Sequence, residues 1–306
     1  MKNKQLLGNF ILLLTAFIWG TAFVAQRVGM ELIEPITFNA ARMALAAVAV
    51  GFVDFLFGLK EKSEPDKRTP AQQKERDRNT LLGGIGCGLF LSIASVFQQM
   101  GIVYTTAGKA GFITAMYMLL VPVIGFVFFK KKNTWLVWLS VVIGIAGMYY
   151  LCITEDFSLA YGDMLVSLCA LFFSGHILCC DYFAPKANPI RMSAIQFATA
   201  TVTSTVVAAI VEEPSVEKLI SAIVPIVYCG LMSGGLGYTL QIIGQRLTEP
   251  TVASLIMSME SVFAVLAGVV LLHEKMTPRE ITGCLLLFAA IVLVQIRLPG
   301  RKRKPA

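Results

Sequence analysis

The chain is a succession of long apolar runs separated by short polar segments. Ten such runs lie at roughly 9–26, 36–58, 81–103, 109–129, 134–153, 162–181, 192–211, 220–244, 251–272 and 281–296. A helix rises about 1.5 Å per residue, so about 20 apolar residues cross a hydrocarbon core of about 30 Å. The short alternating segments of a β-barrel are absent. The pattern predicts an all-α membrane protein with ten transmembrane helices. One run carries a formal charge at its middle: Glu260 in TVASLIMSMESVFAVLAGVVLL, residues 251–272. Helix-centre acidic residues cost about 2.5–3.5 kcal/mol on insertion scales, so a partner, a proton or a water-filled cavity must offset that cost. Glu260 is therefore either a transport-site carboxylate or a paired or protonated group that locks helices together.

Composition agrees with the pattern: 56% of residues are apolar and 15% charged, with mean hydropathy +0.72. Soluble domains do not reach this balance. With the N-terminus in the cytoplasm, 20 Lys and Arg fall in inside segments and 5 in outside segments, with Arg42 inside a span. This asymmetry predicts a multi-pass protein of the cell membrane with both termini cytoplasmic. The net charge of +7 thus reports orientation and gives no reason to expect a nucleic-acid partner. Lys2 and Lys4 precede the first run, but the run is long and no small-x-small cleavage site follows, so it reads as a span. The seven cysteines lack metal-ligand spacing and read as reduced packing residues, with no metal site and no cofactor.

The second half repeats the first. A shift of 154 residues pairs Gly8 with Gly162, Leu14 with Leu168, Ala16 with Ala170, Pro35 with Pro189 and Ala40 with Ala194. Beyond the charged segment the shift becomes 142, pairing Gly88 with Gly230, Gln99 with Gln241, Thr106 with Thr248, Val123 with Val265 and Val127 with Val269. The shortfall matches the charged segment KEKSEPDKRTPAQQKERDR (60–78), read as a solvated linker, against the shorter EEPSVEK (212–218). An odd number of spans per repeat inserts the second copy with opposite polarity. The predicted architecture is two inverted five-helix repeats, 1–153 (with a cytoplasmic loop at 59–80) and 154–296, followed by a basic tail at 297–306. In inverted repeats the substrate site lies at the midplane between the copies.

Polar residues fall on faces. Thr15, Trp19, Ala22 and Gln26 share one face, as do Ser92, Ser95 and Gln99. Thr114 with Tyr117, and Tyr238 with Gln241 and Gln245, share others. Such faces line a polar cavity or join helices by hydrogen bonds. GGIGCG (83–88) and Gly230 supply small surfaces for close helix approach. His176 is the intramembrane group that titrates near neutral pH: a proton-relay partner for Glu260 or a hydrogen-bonded packing residue. Arg42 is expected to pair with Glu34 or to snorkel, with anion binding as the alternative. Lys109, at a helix start, reads as interfacial, and Thr277-Pro278-Arg279-Glu280 as a helix N-cap.

The stretches TAFIWGTAFVAQRV, PITFNAARM and LTEPTVASLIMSMESVFAVLAGVVLLHEKMTPREITGCLLLFAAIVL resemble the EamA-type family of the drug/metabolite transporter superfamily. The resemblance covers nearly the whole chain and implies ten helices in two inverted five-helix repeats around a central cavity, with no ATPase domain. Its specific parts are Trp19-Gly20, the Pro35-to-Arg42 segment and LLHE (271–274). Ser261 stands where the family commonly has proline, so the resemblance supplies no kink at that point.

Neither GxxxxGK[ST], HExxH nor GxSxG occurs, which argues against an enzyme or an ATP-driven pump in this chain. The sequence predicts a secondary transporter of a small organic metabolite, importer or exporter, working by alternating access, with a proton as candidate coupling ion. Its expected partners are that small-molecule substrate and membrane lipids, and oligomeric state is left open. The substrate-binding candidates are Trp19, Gln99, Thr114, Tyr117, His176, Tyr238, Gln241 and Glu260. The competing readings are a membrane-embedded lipid-handling protein or enzyme using the same cavity, and a scaffold whose polar faces enclose none.

Overall fold

The structure, a computed structural model, describes residues 2–61, 69–130, 133–152, 161–273 and 277–295. All regular structure among the described residues is helical. In the first half α1 is Lys2–Gly29, α2 Pro35–Glu61, α3 Pro70–Ile102, α4 Ala107–Thr114, α5 Tyr117–Phe129 and α6 Trp135–Cys152. In the second half α7 is Tyr161–Phe183, α8 Pro189–Val211, α9 Val216–Ser221 and α10 Ile223–Val227. A π-helical stretch, Tyr228–Tyr238, follows, then α11 (Thr239–Gln245), α12 (Pro250–Met257), α13 (Met259–Leu272) and α14 (Pro278–Gln295). Among the described residues, eight spans are long and apolar enough to cross a membrane, and shorter apolar helices at Trp135–Gly147 and Ile281–Ala290 bring the number to ten.

Polarity is inverted relative to a water-soluble core. Val48, Phe128, Ile210, Val224 and Val270 are each about 70% exposed or more, while Gln26, Asn39, Arg42, Gln99, His176, Gln196 and Glu260 are buried. An outer apolar surface of this extent is stable only against lipid.

The helix contacts obey a pseudo-two-fold. Helices α2 and α8, equivalent members of the two halves, pack on each other, and so do α6 and α14. The contact of α3 with α7 has its counterpart where the π-stretch and α11 meet α1. The contact of α3 with α8 returns as the π-stretch on α2, and that of α1 with α13 returns as α7 on α5. Glycine pairs sit at matched crossings: Gly101 and Gly162 each bring an added Cβ within 3.0 Å of the other's carbonyl oxygen, and Gly8 and Gly244 within 3.2 and 3.3 Å. The fold is therefore an inverted repeat of two five-helix units.

Three features differ from the sequence expectation. The charged segment read as linker over 60–78 is helical from Pro70, because Thr69 and Gln72 form a reciprocal capping box with proline at the first helical position. Residues 62–68 lie outside the described residues. The fourth span breaks at Ala115-Met116, and the ninth breaks at the matching Ser258. No proline is needed there: Ser258 Oγ donates to the Leu255 carbonyl and Ser261 Oγ to the Ser258 carbonyl, each at 2.7 Å, drawing the chain out of helical register. Helices α5 and α13 end alike, with Lys130 (φ 51°) and His273 (φ 56°) left-handed and their amides on the carbonyls of Gly125 and Gly268. Their starts are 142 residues apart and their ends 143, so α13 carries one extra residue. Helix α14 starts at Pro278 as expected. Glu274, Lys132 and the basic tail lie outside the described residues.

Candidate functional site

Between the halves lies a small cavity lined by residues of both repeats. Equivalent positions of the two repeats supply its apolar walls: Trp19 and Phe23 from α1, Phe173 and Ile177 from α7. Its polar lining comes from Gln26, Gln98, Thr114, Tyr117, Ser233 and Gln241. Tyr238 completes the wall, and Arg42 and Glu260 are its charged groups.

The helix breaks and close approaches position these groups. Glu260 begins α13, just after the Ser258 break, and Gly20 of α1 lies so near that an added Cβ would meet the Glu260 carbonyl oxygen at 2.7 Å. Only glycine lets α1 and α13 approach this far. Tyr117 begins α5 after the equivalent break and faces Glu260. Spacing alone pairs Glu260 with Met118, yet Tyr117 and Glu260 are the side chains that line the cavity. Gln241 Oε1 is buried without a hydrogen-bond partner, and the Tyr117 hydroxyl and the Glu260 carboxyl have only each other. Unpaired buried polar atoms at a cavity wall are groups that a ligand can satisfy.

Trp19 crosses to the π-helical stretch. Its indole Nε1 donates to the Ser233 carbonyl at 3.1 Å, and its ring lies 4.6 Å from that of Tyr238. Gly237 makes room, since a Cβ there would lie 2.7 Å from Nε1. π-Helical segments are rare and concentrate at functional sites.

Arg42 overturns the expectation set for it. Its partner was to be Glu34 or the interface, but Glu34 pairs with Lys218. Arg42 is 4% exposed, donates from Nε to Asn39 Oδ1 and from Nη1 to Gln26 Oε1, both at 3.0 Å, and has Phe38 against its guanidinium. The physical reason is packing: α2 is covered by α8 and by the π-stretch, so its Arg42 face turns inward. Lys109 pairs with Asp163 at 2.7 Å. The ion pairs among the described residues leave both Arg42 and Glu260 without a counter-charge.

Of the eight sequence candidates, Trp19, Thr114, Tyr117, Tyr238, Gln241 and Glu260 line the cavity, and Gln99 and His176 do not. Gln99 lies behind the wall and donates to Gln26 Oε1. His176 is fully buried against α8, with Nε2 3.0 Å from Gln196 Oε1, and it does not meet Glu260. The sequence reading left out Gln98, whose amide donates to Thr114 Oγ1 at 3.2 Å. It also left out Phe23, Phe173, Ile177 and Ser233. Phe173 and Phe23 fall on faces already marked by Trp19, so the repeat carried that signal; nothing local marks Ser233, whose contribution is a backbone carbonyl.

Comparison with known proteins places this geometry. The model of the EamA-like transporter family matches residues 6–153 and again 160–296. An uncharacterized transporter of Archaeoglobus fulgidus is 28% identical over 299 residues, covering 96% of this chain and 88% of its own length. A probable terminal-alkyne amino-acid exporter of Streptantibioticus cattleyicolor is 23% identical over 300 residues, covering 96% and 95%. A solved crystal structure, 17% identical, superposes with a TM-score of 0.73 over 94% of this chain and 96% of its own, which shows the fold. With two family matches spanning nearly all of a ten-helix inverted repeat, the chain belongs to the EamA-like transporter family and is a multi-pass membrane transporter.

Proposed function

We propose that this transporter moves a small zwitterionic, amino-acid-like metabolite by alternating access between repeats 1–153 and 154–296. The observation that carries the reading is the Arg42 guanidinium and the Glu260 carboxyl in one cavity, neither with an ion-pair partner among the described residues. Arg42 offers a guanidinium, a bidentate match for a carboxylate. Glu260, with the Tyr117 hydroxyl beside it, offers acceptors for an ammonium group. Tyr238 lies in the same wall, where its hydroxyl would meet a ligand that bridges the two groups. The aromatic rings of Trp19, Phe23 and Phe173 would cover the side chain of such a ligand. The name of the Streptantibioticus relative supports the same substrate class.

Glu260 is also the group suited to carry a coupling proton, exchanging it for the substrate ammonium. The excess of Lys and Arg in alternate segments supports cytoplasmic termini in the cell membrane. The exposed apolar girdle would contact lipid directly.

The test is counterflow in proteoliposomes with a panel of neutral amino acids, their decarboxylated amines and their deaminated acids. Zwitterions should exchange, and compounds lacking either charge should not. Glu260→Gln and Arg42→Gln should each abolish exchange. Equal exchange by both variants and the parent would sink the assignment.

A further inference from the structure

The pseudo-two-fold that relates the halves carries Ala22, Gln26, Arg42 and Cys229 onto His176, Cys180, Gln196 and Cys87. In the first set a fixed cation, the Arg42 guanidinium, is held by Gln26. In the second set the equivalent of Arg42 is the neutral Gln196, and its neighbours are three soft donors. Cys87 Sγ lies 3.5 Å from Cys180 Sγ, which lies 4.0 Å from His176 Nδ1 and 3.8 Å from Nε2. The ligand atoms of these three residues all fall within 4.8 Å of one another.

We propose that Cys87, His176 and Cys180 form a binding site for a thiophilic divalent cation of the zinc class, bridging α3 and α7. In a tetrahedral zinc site the bond lengths place ligand atoms about 3.5–3.8 Å apart, so closure needs side-chain shifts of up to about an ångström and a turn of the imidazole that brings Nδ1 toward the thiols. Cys87, His176 and Cys180 are all fully buried. Ala184, Ala187, Met192 and Ile242 pack around the two thiols, and one water would complete the tetrahedron.

The second shell is already set. Thr239 Oγ1 donates to the Gly235 carbonyl at 2.6 Å, so its contact with Ser193 Oγ (2.8 Å) requires Ser193 to donate. Ser193 Oγ then accepts from Gln196 Nε2 at 3.4 Å, which turns Gln196 Oε1 toward His176 Nε2 as an acceptor. The proton therefore sits on Nε2, and Nδ1, the nitrogen free of Gln196, presents its lone pair. A metal-ligating histidine is held in this way by a carbonyl on its other nitrogen. Binding would replace two thiol protons, released to solvent, by one dication. The resulting two-thiolate, one-imidazole complex has zero net charge, which suits a site inside the bilayer. A monovalent ion would leave a net negative charge there. The cation would stand where the other repeat keeps its guanidinium, and it would tie one repeat to the other.

The probe is Co(II) added to the reduced, purified full chain. One equivalent should produce thiolate-to-metal charge-transfer absorption and intense tetrahedral bands, bleached by Zn(II) and unaffected by Mg(II). Cys179→Ser, beside the cluster, should keep the signal. Cys87→Ser and Cys180→Ser should lose it, and Gln196→Leu should weaken binding about tenfold to a hundredfold. Absence of the bands in the parent protein, or their survival in both cysteine variants, would overturn the site. Should those variants fail to fold, X-ray absorption on the zinc-loaded parent decides: two sulfurs and a nitrogen are expected, and a shell of light atoms alone would refute it. None of these readings depends on transport of an amino acid.

Discussion

Gly230 of the π-stretch rests on the backbone of Arg42: an added Cβ would meet the Arg42 carbonyl oxygen at 3.0 Å and Leu45 Cβ at the same distance. Its counterpart Gly88 stands in the same relation to Gln196, at 2.7 Å from the carbonyl oxygen. These two crossings fix how deeply α2 and α8 enter the bundle, and so where the side chains at 42 and 196 point. Backbone cannot yield as a side chain can. Gly88→Ala and Gly230→Ala should therefore destabilise by about 1–3 kcal/mol through overpacking, Gly88→Ala the more. Gly51, also on α2, has open space around it; Gly51→Ala should be neutral or stabilise by up to about 1 kcal/mol. Thermal unfolding in detergent ranks the three, and equal shifts would refute the argument.

Trp19 links the cavity to the π-stretch, and it makes the cavity observable. Trp135 and Trp138 are the other tryptophans. In a Trp135→Phe/Trp138→Phe double variant, emission should come from a buried indole and change when substrate enters. Trp19→Phe leaves the Ser233 carbonyl without its donor, a loss of about 1–3 kcal/mol for a buried group. Unaltered emission at saturating substrate would remove Trp19 from the binding wall.

Much of this was legible beforehand, because lipid imposes long apolar helices and the repeat imposes matched faces. The Trp19-to-Gln26 face and Glu260 could be read from spacing. Helix phase could not: Gln98 and Gln99 are adjacent, and only the packing of α3 decides that Gln98 reaches the cavity while Gln99 turns to Gln26. Arg42 was misjudged since a long side chain two turns into a span could reach water. What prevents it is the cover of α8 and the π-stretch. The break at Ser258 lacks proline or glycine and arises from serine side chains bonding to carbonyls. The cysteine–histidine cluster joins positions 93 and 89 residues apart across two helices, which no local spacing announces.

At the rim, Lys218 of α9 pairs with Glu34 in the loop before α2. The hydrogen bond from Lys218 holds the Glu34 carboxyl below the usual carboxylate range. A lowered folded-state pKa stabilises the fold above the unfolded value, about 4.3, and that contribution disappears as pH falls through the folded value. Both side chains keep solvent contact, so the pair is worth only about 0.2–1 kcal/mol. Lys218→Met should lower stability by that amount at pH 7, and the deficit should shrink as pH falls below about 4.3. A deficit that persists in acid would assign Lys218 a packing role.

Arg42 offers the sharpest separation of stability from function. A buried guanidinium without a carboxylate is costly, and replacing it with an apolar side chain of similar length removes that cost. The substitution leaves Asn39 Oδ1 without its donor, about 1–3 kcal/mol, while Gln26 Oε1 keeps the Gln99 amide. The terms nearly cancel, so Arg42→Met should leave thermal stability close to that of the parent or raise it. Exchange of zwitterions should nevertheless disappear, because the carboxylate loses the guanidinium that faces it from the cavity wall. Arg42→Lys keeps the charge but presents an ammonium point charge in place of the planar fork, so it should retain reduced exchange with a raised KM. Proteoliposome counterflow and thermal unfolding on the same preparations measure both quantities. A destabilised Arg42→Met variant that still exchanges substrate would make the residue a structural brace.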